Sequence, residues 1–310
     1  MFWKILLAAV LFLGVLPVLL LSLVLYTVLL VRTRQKKWDR SCSIPDDEEY
    51  RRMFDIGIAW EEKHHACKRE VGITSDGLKL AGEYFDFGAE KAVIIIAGRM
   101  ESLLYSYFFA EPFRAAGYNV LVIDNRAHGL SEGRISSLGY KEYRDLLRWC
   151  ALLHDELENR AVFLHGICIG ASTALFAAVS EGCPDYIEGL CVEGMYVNFY
   201  ESFLNHMKVD RPHTPRFPIM QLTMVWIRLF SGANVVSDGP LWRIGRLEIP
   251  VLFLHSRKDQ YSAPDKAELL FQKCRAPKKL VWFDSGQHSR IRINNMAAYD
   301  RAIVDFLSEF

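Results

Sequence analysis

The chain has 310 residues, of which 51% are hydrophobic, and its 37 basic residues balance 37 acidic ones so that the formal net charge is zero. This length allows one large α/β domain with additional segments. The lack of a charge excess and of a basic-aromatic module argues against a nucleic-acid partner. The seven cysteines include no pair at the short spacing of a zinc or redox motif, so we expect mostly reduced thiols and no metal or other cofactor.

The first predicted element is a membrane-spanning helix within residues 1–31. From Ile5 to Val31 there is no charged side chain, and this run exceeds the ~20 residues that a helix needs to cross a bilayer. A cleaved signal peptide usually has a shorter apolar stretch of ~7–15 residues. Lys4 alone precedes the run, whereas five basic residues follow it: Arg32, Arg34, Lys36, Lys37 and Arg40. The positive-inside rule therefore predicts a single-pass membrane protein, partnered with the lipid bilayer, whose C-terminal part is cytoplasmic.

The rest of the chain predicts an α/β domain. Residues 32–69 are mixed in charge and are predicted to form a juxtamembrane linker with one helix, Asp46 to His64. From residue 70 to residue 310, strand-like and helix-like patterns alternate, which predicts a mostly parallel sheet with helices on both faces. The strands are predicted at Glu70–Thr74, Leu78–Phe85, Lys91–Ala97, Asn119–Asp124, Ala161–Leu164, Ile187–Val192, Val251–His255 and Lys279–Phe283. The helices are predicted at Tyr105–Ala116, Tyr140–Leu157, Ala171–Ser180, Pro264–Lys273 and Met296–Leu307, and residues 194–247 are predicted to be a helical cap insertion.

The strongest local motif is Gly166-Ile167-Cys168-Ile169-Gly170, where a buried strand passes directly into a helix. A G-x-nucleophile-x-G turn at such a junction is a nucleophile elbow, in which a strained backbone lifts the central side chain clear of the sheet. Small residues are needed on both sides because strand and helix approach closely. The pattern indicates Cys168 as a nucleophile; the alternative is an inert thiol in an elbow that is kept for packing.

Two further segments point in the same direction. Residues 122–131 (VIDNRAHGLS) and 250–259 (PVLFLHSRKD) flank the elbow in the sequence. Together the three segments resemble, in the same order, the motifs of the α/β-hydrolase superfamily: the D-x-R-x-H-G-x-S loop after the fourth strand, the elbow, and the seventh strand with its acid loop. The likeness covers nearly everything after residue 69. It is closest to single-anchor hydrolases of the serine-aminopeptidase-like group, with cysteine in place of the usual serine.

This resemblance implies a catalytic triad of Cys168, Asp259 and His288. A thiol becomes a competent nucleophile when an imidazole accepts its proton, and the acid holds the ring in the useful tautomer. Asp259 could instead only cap its own loop. Asp284 is a less favoured alternative for the acid because it is so close to His288 in the sequence, and His128 is interpreted as structural.

The same resemblance implies that the backbone N–H groups of Arg99 and Ile169 stabilise the oxyanion. In related proteins this loop begins with His-Gly, whereas here it reads Ala97-Gly98-Arg99. Backbone donors require no particular side chain, so such a hole could persist.

The sequence therefore predicts a membrane-anchored acyl hydrolase that cleaves an ester, thioester or amide in a small acyl-bearing or peptide substrate through a covalent thioester. Two alternatives remain open: transfer of the acyl group to an amine or alcohol, and a non-catalytic binding protein with the hydrolase fold. Seven apolar cap residues could line a site for a lipophilic acyl chain or pack the core of the cap. They are Phe199, Phe203, Met207, Phe217, Met220, Trp226 and Phe230.

Overall fold

A mixed eight-stranded sheet organises the computed structural model, which describes residues 2–4 and 11–309. The strands are β1 (Lys68–Ser75), β2 (Leu78–Phe85), β3 (Lys91–Ile96), β4 (Tyr118–Ile123), β5 (Ala161–Ile167), β6 (Ile187–Glu193), β7 (Val251–Ser256) and β8 (Lys278–Phe283). Their order across the sheet is β1-β2-β4-β3-β5-β6-β7-β8. The β1–β2 and β2–β4 pairs are antiparallel and all the others are parallel. The predicted α/β-hydrolase fold class is confirmed.

The described part of the chain contains ten α-helices. They are α1 (Leu16–Leu30), α2 (Glu48–His64), α3 (Glu111–Ala115), α4 (Glu142–Ala151), α5 (Ile169–Ala178), α6 (Phe199–Asp210), α7 (Ile219–Ser231), α8 (Pro240–Arg243), α9 (Pro264–Lys273) and α10 (Ile291–Leu307). The predicted cap insertion corresponds to α6, α7 and α8.

The central strands separate two hydrophobic cores. Because side chains alternate along a strand, Ile94 and Ile96 of β3 enter the core on one face, and Val93 and Ile95 enter the core on the other. Every residue of β5 is buried, as expected for a parallel strand covered on both faces. The elbow after β5 is therefore held between two packed layers.

The predicted juxtamembrane linker is not a free segment. Met53 and Trp60 of α2 belong to one of the two cores, and α2 packs against a 3₁₀ helix at Leu103–Phe109. Arg290, far along the chain, forms ion pairs with two acidic residues at the start of α2, Asp47 and Glu49. Residues 46–67 are thus part of the folded domain.

Two predicted helices differ from the observed ones. The predicted helix Tyr105–Ala116 is divided into the 3₁₀ helix and the short α3, because Pro112 has no N–H and is accommodated only in the first turn of α3. The last helix begins at Ile291 instead of Met296 and is kinked at Asn295. The Asn295 side chain donates to the carbonyl oxygens of Ser285 and Ile291, both at 2.9 Å, and so holds the kink.

The N-terminal helix is docked against the cap. The helical span Phe12–Leu30 has a mean hydropathy of 2.6 and is long and apolar enough to cross a membrane; residues 5–10 of the predicted anchor lie outside the described residues. Tyr26 and Leu30 of α1 are buried with cap residues. Ser22 Oγ accepts a 2.9 Å hydrogen bond from Trp226 Nε1 of α7. The half of α1 nearest the domain is therefore attached to the cap.

Candidate active site

Cys168 occupies a sharp turn between β5 and α5. Its backbone has φ 55° and ψ −110°, a conformation that an L residue adopts only under constraint. A Cβ on Gly166 would overlap the backbone of Gly170 and Ala171, and a Cβ on Gly170 would overlap the carbonyl oxygen of Ile96. The two glycines are thus required by close backbone contacts, and the turn has the geometry of a nucleophile elbow.

Asp259 and His288 meet beside this turn. Asp259 lies just after β7 and His288 lies just after β8, and His288 Nδ1 donates to Asp259 Oδ2 over 2.7 Å. The other carboxylate oxygen, Oδ1, accepts hydrogen bonds from the backbone N–H groups of Tyr261 at 2.9 Å and Ser262 at 2.8 Å. Both oxygens of the carboxylate therefore accept hydrogen bonds, one from the ring and the other from the loop.

The charges of this group are coupled. Burial alone would lower the pKa of His288, but the Asp259 carboxylate and the Cys168 side chain raise it well above its usual value. Burial alone would raise the pKa of Asp259, but His288 and the backbone donors lower it. His288 Nε2 is buried and makes no well-formed hydrogen bond with a described residue, although Cys168 is close enough to affect the ring electrostatically. The free edge of the imidazole thus remains available to the thiol or to a substrate.

The two alternative residues lie elsewhere. The Asp284 side chain is 91% exposed and forms its ion pair with Arg257 at 3.4 Å. His128 is buried, stacks on Trp38 with ring centroids 4.7 Å apart, and has Nδ1 3.0 Å from the carbonyl oxygen of Arg126. Burial lowers the pKa of His128 to about 4. It is a neutral packing residue at physiological pH.

The loop that follows β3 faces the elbow. A Cβ on Gly98 would lie 3.6 Å from Cys168 Cβ, which places the next residue, Arg99, at the site. Ile169 is the first residue of α5, so its N–H has no partner within the helix. Both predicted oxyanion donors thus belong to backbone segments that border Cys168.

A cavity of about 410 Å³ opens over these residues. Its lining is mainly polar and charged and includes Arg99, Glu101, Cys168, His206, Asp210, Tyr261, His288 and Arg290. None of the seven apolar cap residues considered from the sequence lines this cavity. Five of them instead pack with the N-terminal helix in a cluster that includes Ile169 and contacts Cys168: Phe199, Phe203, Met207, Met220 and Trp226.

Two buried carboxylates near the site, Glu101 and Glu193, were missed from the sequence. Glu101 is buried and accepts hydrogen bonds from the N–H of Gly98 at 2.8 Å and from the hydroxyl of Tyr50 at 3.2 Å. Glu193, at the end of β6, accepts from the hydroxyl of Tyr299 at 2.6 Å, and burial raises its pKa to about 7. A carboxylate directly after a buried strand was a readable signal for Glu193, because functional groups of parallel sheets gather at the carboxyl ends of strands.

Comparison with known proteins agrees with this architecture. A family model described as alpha/beta hydrolase fold matches residues 91–242. The chain is similar to the uncharacterized protein YqkD of Bacillus subtilis, with 30% identity over 216 residues that cover 69% of this chain and 70% of the relative. It is also 26% identical over 245 residues to the uncharacterized membrane protein YNL320W of Saccharomyces cerevisiae, covering 76% of this chain and 78% of the relative.

A solved structure gives the same picture of the fold. The esterase Pf2001 of Pyrococcus furiosus superposes with a TM-score of 0.69 over 81% of this chain and 94% of that chain, at 22% identity. The matched family region contains β3 to β6, the elbow and most of the cap. The sheet order, the elbow and these matches together show that the chain belongs to the α/β-hydrolase superfamily.

Proposed function

We propose that this protein is a membrane-attached acyl hydrolase in which Cys168 forms a thioester with the acyl group of an ester, thioester or amide. The observation that carries the proposal is the 2.7 Å hydrogen bond between Asp259 and His288 beside an elbow occupied by Cys168. The order Cys168, Asp259, His288 along the chain supports the triad, and the loop motifs support a place near the serine-aminopeptidase-like group.

The proposed reaction has two steps. In the first, the thiolate of Cys168 attacks the carbonyl carbon, the N–H groups of Ile169 and Arg99 stabilise the oxyanion, and His288 donates its proton to the leaving atom as the old bond breaks. In the second, His288 removes a proton from water, whose oxygen attacks the thioester carbon and releases the acid and the thiolate. The raised pKa of His288 favours the protonated ring needed in the first step.

The same coupling favours the second step. The Cys168 side chain contributes to the raised pKa of His288 through its charge. A thioester carries no such charge, so acylation lowers the pKa of His288 again. The ring then becomes neutral more readily and can act as a general base.

Acyl-enzyme formation tests this proposal. Wild-type protein is incubated with an activated acyl thioester, and the added mass is measured on the intact protein. We expect one acyl group on the wild type, none on Cys168→Ala, and one on Cys183→Ala, which removes a half-buried thiol elsewhere. Equal labelling of wild type and Cys168→Ala contradicts the triad, and a protein that is neither labelled nor active on ester, thioester and amide panels supports the non-catalytic alternative. Adding an alkylamine and measuring the amide product distinguishes transfer from hydrolysis.

Membrane attachment through α1 is supported by the exposed surface of the molecule. Exposed apolar side chains lie on α1 and on α7, which is packed against it: Leu20, Leu21, Val24, Val28, Val225, Leu229 and Phe230. Contiguous exposed apolar surface of this kind is typical of a membrane contact. The cap would therefore rest against the bilayer, with the sheet beyond it.

A cytoplasmic position of the domain is supported by the basic segment after α1. Lys37 Nζ donates to carbonyl oxygens at the end of α1, including Val28 at 2.8 Å, and Arg40 pairs with Glu83 at 2.6 Å and Asp124 at 2.9 Å. The basic segment is thus folded onto the domain, and both must lie on the same side of the membrane. We expect the domain to resist protease added to intact cells and to be digested after permeabilisation. Digestion in intact cells contradicts this orientation.

A further inference from the structure

The guanidinium of Arg99 is an unpaired charge in the active-site cavity. Arg99 lines the 410 Å³ cavity together with Cys168 and is only partly exposed. Its side chain interacts electrostatically with Cys168, Tyr50 and Glu101 but makes no hydrogen bond or ion pair with any residue that the structure describes. A partly buried cation without a partner is costly unless a ligand supplies one.

The neighbouring carboxylates do not serve as its partner. Both oxygens of Glu101 already accept hydrogen bonds, from Gly98 N–H and from the Tyr50 hydroxyl. The other arginine of the cavity, Arg290, is paired with Asp47 at 2.6 Å and Glu49 at 3.2 Å. Of the two described arginines that line the cavity, Arg99 is therefore the one whose donors are free.

The chemistry of the Arg99 side chain suits an anionic ligand. Five N–H donors in a planar fork suit bidentate pairing with a carboxylate or phosphate. A cavity of this volume suits a small molecule.

We propose that the cavity binds acyl substrates that carry a carboxylate or phosphate group, and that the Arg99 side chain is the group that selects them. This proposal specifies the substrate class of the proposed hydrolase, and it therefore rests on that function. The anion site itself is a property of the cavity that can be measured without turnover.

Alkylation of Cys168 by two reagents of similar size tests the proposal. Iodoacetate is an anion and iodoacetamide is neutral, and in both the sulfur displaces iodide. The ratio of their rates on one variant cancels any effect of Arg99 on the reactivity of the thiolate itself, and dividing it by the same ratio for glutathione cancels the intrinsic difference between the two reagents. We expect this ratio to be about tenfold or more lower in Arg99→Gln than in the wild type, since charged hydrogen bonds are of that strength. Arg99→Lys should be intermediate, and Arg257→Gln, a matched change outside the cavity, should equal the wild type. An unchanged ratio in Arg99→Gln overturns the proposal.

Ligand-induced stabilisation separates this proposal from the hydrolase function. Succinate, inorganic phosphate and uncharged succinamide are each added to the full-length protein in detergent, and the shift in Tm is measured. We expect a shift with succinate or phosphate, none with succinamide, and loss of the shift in Arg99→Gln; the anion with the larger shift identifies the preferred group. If Cys168 reacts with neither alkylating reagent, the hydrolase function is excluded. The Tm shifts still decide whether the anion site exists. Equal shifts in wild type and Arg99→Gln, or no shift with either anion, overturn the anion site.

Discussion

Replacing Asp259 with asparagine is the sharpest single change to the proposed triad. Asp259 accepts from the ring of His288 through one oxygen and from the N–H groups of Tyr261 and Ser262 through the other. Asparagine has the same shape but only one acceptor oxygen. If that oxygen keeps the two backbone donors, an amide NH₂ group faces the ring, and His288 must present Nδ1 as an acceptor and place its proton on Nε2. The ring then cannot accept the thiol proton through Nε2.

The size of the expected effect follows from the hydrogen bond between His288 and the charged carboxylate that is lost. A hydrogen bond to a charged group contributes about 1.5–3 kcal/mol, which corresponds to about 10- to 100-fold in rate. We therefore expect iodoacetamide to alkylate Cys168 about 10- to 100-fold more slowly in Asp259→Asn than in the wild type at pH 7. Asp284→Asn is the matched control, since that carboxylate is exposed and pairs with Arg257. A wild-type rate in Asp259→Asn, or the loss of rate in Asp284→Asn, refutes the assignment of the acid.

The stability of the same variant should depend on pH in a defined direction. The pKa of His288 is raised, so the contribution of this residue to the unfolding free energy is complete below about pH 6.5 and is lost as pH rises through the pKa of the folded state. The pKa of Asp259 is lowered, so the contribution of this residue to the unfolding free energy is complete above about pH 3.9 and is lost as pH falls through the pKa of the folded state. The difference in unfolding free energy between wild type and Asp259→Asn should be largest between about pH 4 and 6.5 and smaller at pH 9. Denaturant unfolding at pH 5.5 and pH 9 measures it, and a difference that grows with pH is incompatible with the coupled pair.

Two further predictions concern the elbow and the buried acid. Gly170→Ala should lower the unfolding free energy by about 3 kcal/mol because its Cβ would overlap the carbonyl oxygen of Ile96. Gly182→Ala should change the unfolding free energy little, since its Cβ has no neighbour nearer than 3.9 Å. Equal effects of the two substitutions would contradict the close contact at Gly170. Because the raised pKa of Glu193 costs the folded protein stability as pH rises from about 4.3 to 7, Glu193→Gln, which keeps an acceptor for Tyr299, should show a smaller fall in Tm between pH 5 and pH 8. Parallel Tm profiles for Glu193→Gln and wild type would contradict the raised pKa.

The elbow was predictable because its requirements are local. A strand of continuous apolar residues, two glycines and the start of a helix lie within ten residues of one another, and the clashes at Gly166 and Gly170 explain why no larger residue stands there. The loop motifs and the resemblance that they carry then predicted Asp259 and His288 as members of one triad. The two residues follow β7 and β8, which are neighbours in the sheet, and His288 Nδ1 lies 2.7 Å from Asp259 Oδ2.

The lining of the cavity was not predictable in the same way, because it depends on contacts between distant segments. Tyr50 reaches the site because α2 packs on the 3₁₀ helix after β3. The spacing of Met53, Gly57 and Trp60 is that of a helix with one buried face. That spacing was the available signal that this segment is folded against the domain. A Cβ on Gly57 would lie 3.0 Å from the backbone nitrogen of Phe108, so the glycine marks the close approach.

The cysteine and Arg99 are connected by electrostatics. Whenever Cys168 is ionised, its negative charge repels a substrate anion before any bond forms, and the free guanidinium of Arg99 in the same cavity offsets that repulsion. A serine at position 168 is neutral and needs no such offset. Cys168→Ser should therefore bind succinate more tightly than the wild type, while the double variant with Arg99→Gln should lose this gain. A double-mutant cycle on succinate affinity measures the coupling between the two residues. If the two changes in binding free energy are simply additive, the nucleophile and the anion site act independently.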